Sequence, residues 1–338
     1  MNRIPTPELS VILVTPDHYN TLRKTIGHLR AQTAREQLEI VIVAPSAREL
    51  QLDRSELADF DCFQVVEVGP VRSIAGANAA GARHARAPVV AFGEDHAFPD
   101  PDWARALIEA HREPWVAVGP EVRNANPQTA ISSADFLLGY GPWMSPAPGG
   151  EIAHLPGHNS SYKRDQLLRL GTELETMLAA ETVFHWELVA AGQRLYLEPK
   201  ARIAHVNFER FASWLPALFH SGRTFAAVRS RQWNLNRRLF YAAAAPVIPL
   251  TRLTRIVRQL RAIDKTATCP PMSLRILFVL ALGLITSALG EMLGYAFGAG
   301  SAPCHLSRFE FHRERHNALT PALSHRNGRG SFLIPRGK

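Results

Sequence analysis

Four short apolar runs mark the N-terminal part of the chain: Leu9–Thr15, Glu39–Ala44, Phe63–Val68 and Val89–Phe92. They are rich in Val and Ile, and the first two stop at Pro16 and at Pro45-Ser46. Runs of this length and composition predict strands buried on both faces. Between them the period changes. Leu22, Ile26 and Leu29 recur at helical spacing within Tyr19–Gln32, and the alanine-rich stretch Gly76–Ala87 predicts a second helix. Strands alternating with helices predict βαβ units, hence an α/β fold with a mostly parallel sheet flanked by helices. The alternation continues with a helix over Trp103–His111, a strand over Trp115–Gly119, helices over Asp165–Leu170 and Thr182–Ala191, and a strand over Arg194–His205. Asn124–Glu151, rich in Pro, Gly and Ser, predicts an irregular excursion over the sheet.

The pattern changes after residue 207. Leu239–Thr251 is uncharged but too short to span a bilayer, whereas Ile276–Phe297 is long enough and is interrupted only by Glu291. Between them, Arg252, Arg255, Arg258, Arg261 and Lys265 fall on one helix face, with Leu253, Ile256, Val257, Leu260 and Ile263 available for the other. A basic amphipathic helix beside an apolar one predicts a membrane-associated helical region whose basic side stays cytoplasmic. Charge sharpens the division. Residues 1–207 carry 19 Lys/Arg against 25 Asp/Glu, and residues 208–275 carry 12 against 2. The expected partition is therefore an acidic domain (1–207), basic and apolar membrane-associated helices (208–300) and a disordered basic tail (301–338). The arginines lie beside long apolar runs and are not interleaved with stacking aromatics. This favours anionic lipids of the cytoplasmic leaflet over nucleic acid. Cys62, Cys269 and Cys304 are widely spaced and form no metal or disulfide pattern.

Candidate chemistry gathers where the fourth run ends. Val89–Phe92 empties into Glu94, Asp95 and His96. Carboxylates at the C-terminal end of a strand in an open α/β sheet sit where such folds bind ligands. Hard oxygen ligands there suit Mg²⁺ or Mn²⁺ holding a diphosphate.

Several segments, in order, resemble the family-2 glycosyltransferases of the GT-A fold, a Rossmann-like architecture. Ser-Val-Ile-Leu-Val-Thr, the helix ending Leu29-Arg30-Ala31-Gln32-Thr33, and Glu-Ile-Val-Ile-Val resemble that family's first βαβ unit. Ala77-Asn78-Ala79-Ala80-Gly81-Ala82-Arg83 is similar to its Ala-Arg-Asn-x-Gly helix, and Glu94-Asp95-His96 occupies the Asp-x-Asp slot. Gly157-His158-Asn159-Ser160-Ser161-Tyr162-Lys163-Arg164 resembles the segment framing the acceptor, and Glu181 stands at the catalytic-base position. The likeness covers roughly Leu9–His205.

The resemblance implies an inverting, metal-dependent transfer from a nucleoside-diphosphate sugar to a hydroxyl acceptor. It implies Glu181 as base and donor contacts from Thr15, Asp17, Asn78, Glu94 and Asp95. It further implies acceptor contacts from His158 and Asn159, and metal ligation by Asp95, His96 and His205. Membrane association adds the expectation of a lipid-linked or envelope-polysaccharide acceptor. There are departures. Ala44-Pro45-Ser46 stands where the family carries acidic residues that contact the base, and His96 replaces the last Asp of the slot. The missing acidic pair at Ala44-Pro45 favours the alternative, a non-catalytic relative acting as a membrane scaffold; the retained Glu94, Asp95 and Glu181 oppose it.

Overall fold

The computed structural model describes residues 6–262 and 273–317. Nine strands form one sheet: β1 (Leu9–Val14), β2 (Leu38–Ala44), β3 (Cys62–Glu67), β4 (Val89–Phe92), β5 (Ala97–Pro99), β6 (Ala117–Asn124), β7 (Gly150–Ile152), β8 (Ser161–Lys163) and β9 (Leu195–His205). Their order is β3-β2-β1-β4-β8-β6-β9-β5, with β7 also on β9. The expected parallel arrangement holds over β3-β2-β1-β4 and for β6 with β9. The sheet as a whole is mixed, because β8 runs antiparallel to β4 and β6, and β5 and β7 run antiparallel to β9. β5, β7 and β8 have three residues each, too few to leave a periodic trace in the sequence.

Alternate residues of the parallel strands feed two cores. Leu9, Val11 and Leu13 of β1 join one, and Ile12 and Val14 join the other. This two-sided burial is what continuous apolar runs require. The Ile74–His84 helix covers the second face, and its alanines permit close approach. The excursion over residues 124–151 contains a helix, Ala130–Tyr140. Thr129 caps it, its hydroxyl accepting the Ser132 N–H at 3.0 Å.

Two features differ from the expected partition. First, residue 207 is not a core boundary. Trp214 and Ala217 of the Phe211–Arg229 helix, and Ile276, Val279, Leu280 and Leu284 of the Leu274–Phe297 helix, belong to the same core as β1 and β2. The two helices cross closely. Cβ atoms built on Gly222, Gly290 and Gly294 would come within 2.0–2.3 Å of backbone oxygens of the facing helix, so only glycine fits there.

Second, residues 302–317, expected within a disordered tail, form the helices Ala302–Glu310 and Arg313–Asn317. Their order comes from polar contacts to distant residues. Ser307 Oγ accepts the Ile74 N–H at 3.0 Å, and Asn317 exchanges hydrogen bonds with the Glu209 and Asn207 backbones at 2.9 Å each. Lys265 and the remainder of the tail, residues 318–338, lie outside the described residues.

Candidate functional site

The turn after β4 and the end of β9 meet at one edge of the sheet, and the segment leading into β8 closes over them. Three side chains converge there. Glu94, His96 and His205 place their ligand atoms within 4.8 Å of one another. His96 Nε2 lies 3.7 Å from Glu94 Oε1, and His205 Nε2 lies 3.6 Å from Glu94 Oε2.

Neighbours fix both imidazoles. His96 Nδ1 is 2.6 Å from Asp95 Oδ1, which can only accept, so in the neutral ring Nδ1 carries the proton and Nε2 keeps its lone pair. Asn207 donates through Nδ2 to Asn124 Oδ1, which leaves Asn207 Oδ1 to accept from His205 Nδ1 at 3.1 Å. Both rings thus turn an Nε2 lone pair toward one carboxylate. Carboxylate or amide groups behind imidazoles are the usual support of a metal site. Burial holds His205 neutral, well below the ordinary histidine range, despite the Glu94 charge that opposes it. His96 Nε2 is buried with no hydrogen-bond partner among the described residues. An orphaned nitrogen facing a carboxylate, together with this mixed donor set, fits a divalent cation of the Mn²⁺ type better than Mg²⁺.

The grouping found differs from the expected ligand set in one member. Glu94, not Asp95, joins the two histidines. Successive residues of the turn diverge, so Asp95 supports His96 through Oδ1 and accepts the His312 N–H through Oδ2 at 3.0 Å. Glu94 is itself held by three groups: Asn159 Nδ2 donates to Oε2 at 2.8 Å, Thr25 Oγ1 donates to the Glu94 carbonyl at 2.9 Å, and His158 Nδ1 stands 3.9 Å from Oε1. Burial would raise Glu94, but His96, His158, His205 and Arg313 outweigh it and bring the carboxyl down to about 2.

Asn159, expected on the acceptor side, therefore supports the carboxylate cluster. It does so from a left-handed backbone with φ of 69°, a conformation asparagine tolerates.

Glu181 opens the Glu181–Ala190 helix and is 8% exposed. Its carboxylate presses against the chain at Gly157, where an added Cβ would lie 2.1 Å from Oε2. Its Oε1 has no hydrogen-bond partner among the described residues. Burial, with the Glu94 charge assisting, pushes Glu181 up to about 6 against the lowering effect of His158. His158 responds in the opposite sense. Burial disfavours its charge, but Glu181, Glu94 and Glu310 raise it to about 9. His158 thus sits as an imidazolium between the base candidate and the cation group.

The other expected donor residues separate. The Thr15 hydroxyl pairs with that of Thr21 at 3.0 Å and accepts the Asp17 N–H at 3.2 Å. Asp17 Oδ2 lies 2.6 Å from His312 Nε2. Asn78 is buried on the Ile74–His84 helix, and no hydrogen bond among the described residues ties it to the cluster. Sequence reasoning missed Glu310, His312, Arg313 and Asp135, although the run Glu-Phe-His-Arg-Glu-Arg-His over residues 310–316 is dense in titratable groups.

Comparison with known proteins follows this geometry. Residues 10–171 match the family described as glycosyl transferase family 2. A glucosyl-dolichyl phosphate glucuronosyltransferase of Haloferax volcanii is 27% identical over 227 residues, covering 60% of this chain and 70% of that protein. A pre-mycofactocin glycosyltransferase of Mycobacterium tuberculosis is 23% identical over 216 residues, 62% of this chain but 44% of the relative. Among solved structures, the mannosyltransferase PcManGT from Pyrobaculum calidifontis, in complex with GDP-Man and Mn²⁺, superposes with a TM-score of 0.53. It shares 16% identity, with 85% of this chain and 87% of that one covered. The mixed sheet with flanking helices is thus the GT-A fold, and over residues 10–171 the chain is similar to the family 2 glycosyltransferases.

Proposed function

We propose that this glycosyltransferase moves a sugar, with inversion, from a nucleoside-diphosphate donor to a hydroxyl of a lipid-linked or envelope-polysaccharide acceptor at a membrane surface. One observation carries the chemistry: a buried Glu181 carboxylate, whose Oε1 has no hydrogen-bond partner among the described residues, next to His158, which in turn adjoins Glu94 of the cation group. Glu94, His96 and His205 would hold the cation, and Asp95 would hold His96 in its ligating tautomer. When bound, a divalent cation supplies the positive charge that the departing diphosphate needs.

The chain's own residues do the rest. Glu181 takes the proton of the acceptor hydroxyl as that oxygen attacks the anomeric carbon. The bond from the anomeric carbon to the diphosphate oxygen breaks, and the nucleoside diphosphate leaves. A single displacement with one base inverts the anomeric centre. At pH 7, a carboxyl near 6 is mostly ionised and is basic enough to share the proton. His158, as an imidazolium, keeps Glu181 from rising further and orients it.

The acceptor proposal rests on two supports. The Haloferax relative bears a lipid-phosphate name. The chain also has an apolar surface: among the described residues, ten of the fourteen exposed large hydrophobic side chains lie between 235 and 297. Leu274, Phe278, Ile285 and Leu289 share one face of their helix, while half of that helix's apolar stretch is buried in the protein. A helix committed on one side to a soluble core lies along the bilayer surface more readily than across it. Exposed Arg237, Arg255 and Arg258 suit anionic headgroups of the cytoplasmic leaflet.

A nucleotide-sugar panel with Mn²⁺ and polyprenyl phosphate acceptors tests the proposal. Turnover by the native chain and its loss in Glu181→Gln are expected. Full turnover in that variant would refute the assigned base.

A further inference from the structure

The segment after the apolar helix returns to the donor site, and its contacts there are specific. Glu310 Oε2 lies 4.0 Å from His96 Nε2, the buried nitrogen that no hydrogen bond satisfies. His312 has a left-handed backbone with φ of 60°. From it, the N–H reaches Asp95 Oδ2 at 3.0 Å and the ring reaches Asp17 Oδ2 at 2.6 Å. Asp17 follows β1 and Asp95 follows β4, which are adjacent parallel strands. His312 therefore bridges the two lips of the crevice where an open α/β sheet takes its ligand.

Arg313 anchors the segment. It is 3% exposed, pairs with Glu310, lies 3.7 Å from Asp135 and stacks at 3.5 Å on the Phe208 ring. Asp135 is in turn held by Phe208 N–H at 2.9 Å and Trp214 Nε1 at 2.7 Å. A buried arginine costs several kcal/mol unless it is paired and hydrogen-bonded, roughly the penalty of desolvating one ion. Here two carboxylates and an aromatic face meet the guanidinium, although its Nε has no hydrogen-bond partner among the described residues, so the docked position is a built one. Glu94, Glu310 and Asp95 nonetheless leave the pocket with more buried negative than positive charge, which a divalent cation would balance.

We propose that Glu310–Arg313 is a working wall of the donor site, in which Glu310 is a further ligand to the cation of Glu94, His96 and His205, and His312 positions Asp95 and Asp17. The inference rests on the cation site proposed above and adds to it a carboxylate more than 200 positions downstream of Glu94. Arg313 serves as counter-charge and anchor. Three of the side-chain contacts around His96 and Glu94 then fall between 3.6 and 4.0 Å, spacings that ligands sharing one ion adopt.

The test titrates Mn²⁺ into the full chain, read by calorimetry and by electron paramagnetic resonance, without donor or acceptor. One tight site is expected. Glu310→Gln should weaken it about tenfold or more, on the order of the loss seen when metal-site partners are removed. Glu314→Gln, an exposed acid on the same segment, should leave it unchanged. Glu310→Asp retains the charge and the Arg313 partner. It should bind Mn²⁺ with intermediate affinity and an altered resonance spectrum, which a merely structural carboxylate would not produce.

Unchanged affinity in Glu310→Gln, or an unchanged spectrum in Glu310→Asp, overturns the role of Glu310 while leaving the three-residue site standing. Tighter binding in Glu310→Gln also overturns it, because the segment would then be a plug. No Mn²⁺ binding by the native chain overturns the cation site and this inference together.

Discussion

The coupling between Glu181 and His158 gives the sharpest prediction. As a base, Glu181 must be ionised to accept a proton, and burial sets its value near 6 in the free enzyme. kcat/KM should therefore fall as pH drops through 6, reaching roughly a tenth of its plateau one unit below, as a single ionisation requires. Replacing His158 by Gln removes a cation whose own value stands near 9, so at neutral pH a full positive charge is lost beside the carboxylate. That charge lowers Glu181; without it, burial and Glu94 act unopposed, and the acid limb must move to higher pH. Glu181→Gln should abolish the limb and cost about 10²–10⁴ in rate, the usual worth of a positioned base. The assay is donor turnover from pH 4.5 to 8.5 at subsaturating substrate, with circular dichroism at each pH. An acid limb that stays in place, or moves to lower pH, in His158→Gln would refute the assignment of Glu181 as the titrating base.

Other outcomes follow from single contacts. Gly157→Ala would drive a methyl group onto the Glu181 carboxylate, so kcat should fall at least tenfold with little change in melting temperature, because misplacement by an ångström is that costly. Gly290→Ala puts Cβ 2.0 Å from the Phe219 carbonyl and should destabilise the protein by about 1–3 kcal/mol, read from thermal unfolding. Phe278→Glu with Leu289→Glu should reduce flotation with anionic liposomes while leaving the melting temperature within a few degrees, since both side chains are exposed. Trp214→Phe strands the Asp135 carboxylate without its 2.7 Å donor and should cost about 1–3 kcal/mol, measured by denaturant titration.

How much of this was legible in the sequence depends on the range of the forces involved. β1, β2 and β4 announce themselves because burial on both faces demands unbroken Val, Ile and Leu. Glu94, Asp95 and His96 could be named because they follow a recognisable strand and His205 because it ends one, whereas His158 and Glu181 were named through the family resemblance. Which of two adjacent carboxylates faces the histidines could not be read, since a turn has no fixed period and Asn159 makes the choice from 65 positions away. The Ala130–Tyr140 helix was hidden by flanking Gly and Pro, although Thr129 and Ser132 carry the capping signal. Residues 302–317 resemble a solvated basic tail in composition. Their order depends on Asp135, Asn207, Ile74 and Asp17, all long-range partners that hydrophobic periodicity does not register.

Because β1 and the Leu274–Phe297 helix bury side chains in one shared interior, trimming the chain at the end of β9 would expose Leu and Ile that now shield the sheet. A detergent-free form is therefore better sought by repainting the outward leucines and phenylalanines with charge than by shortening the polypeptide. The sugar-transfer machinery and the greasy flank are two sides of the same folded unit, and neither can be purified away from the other.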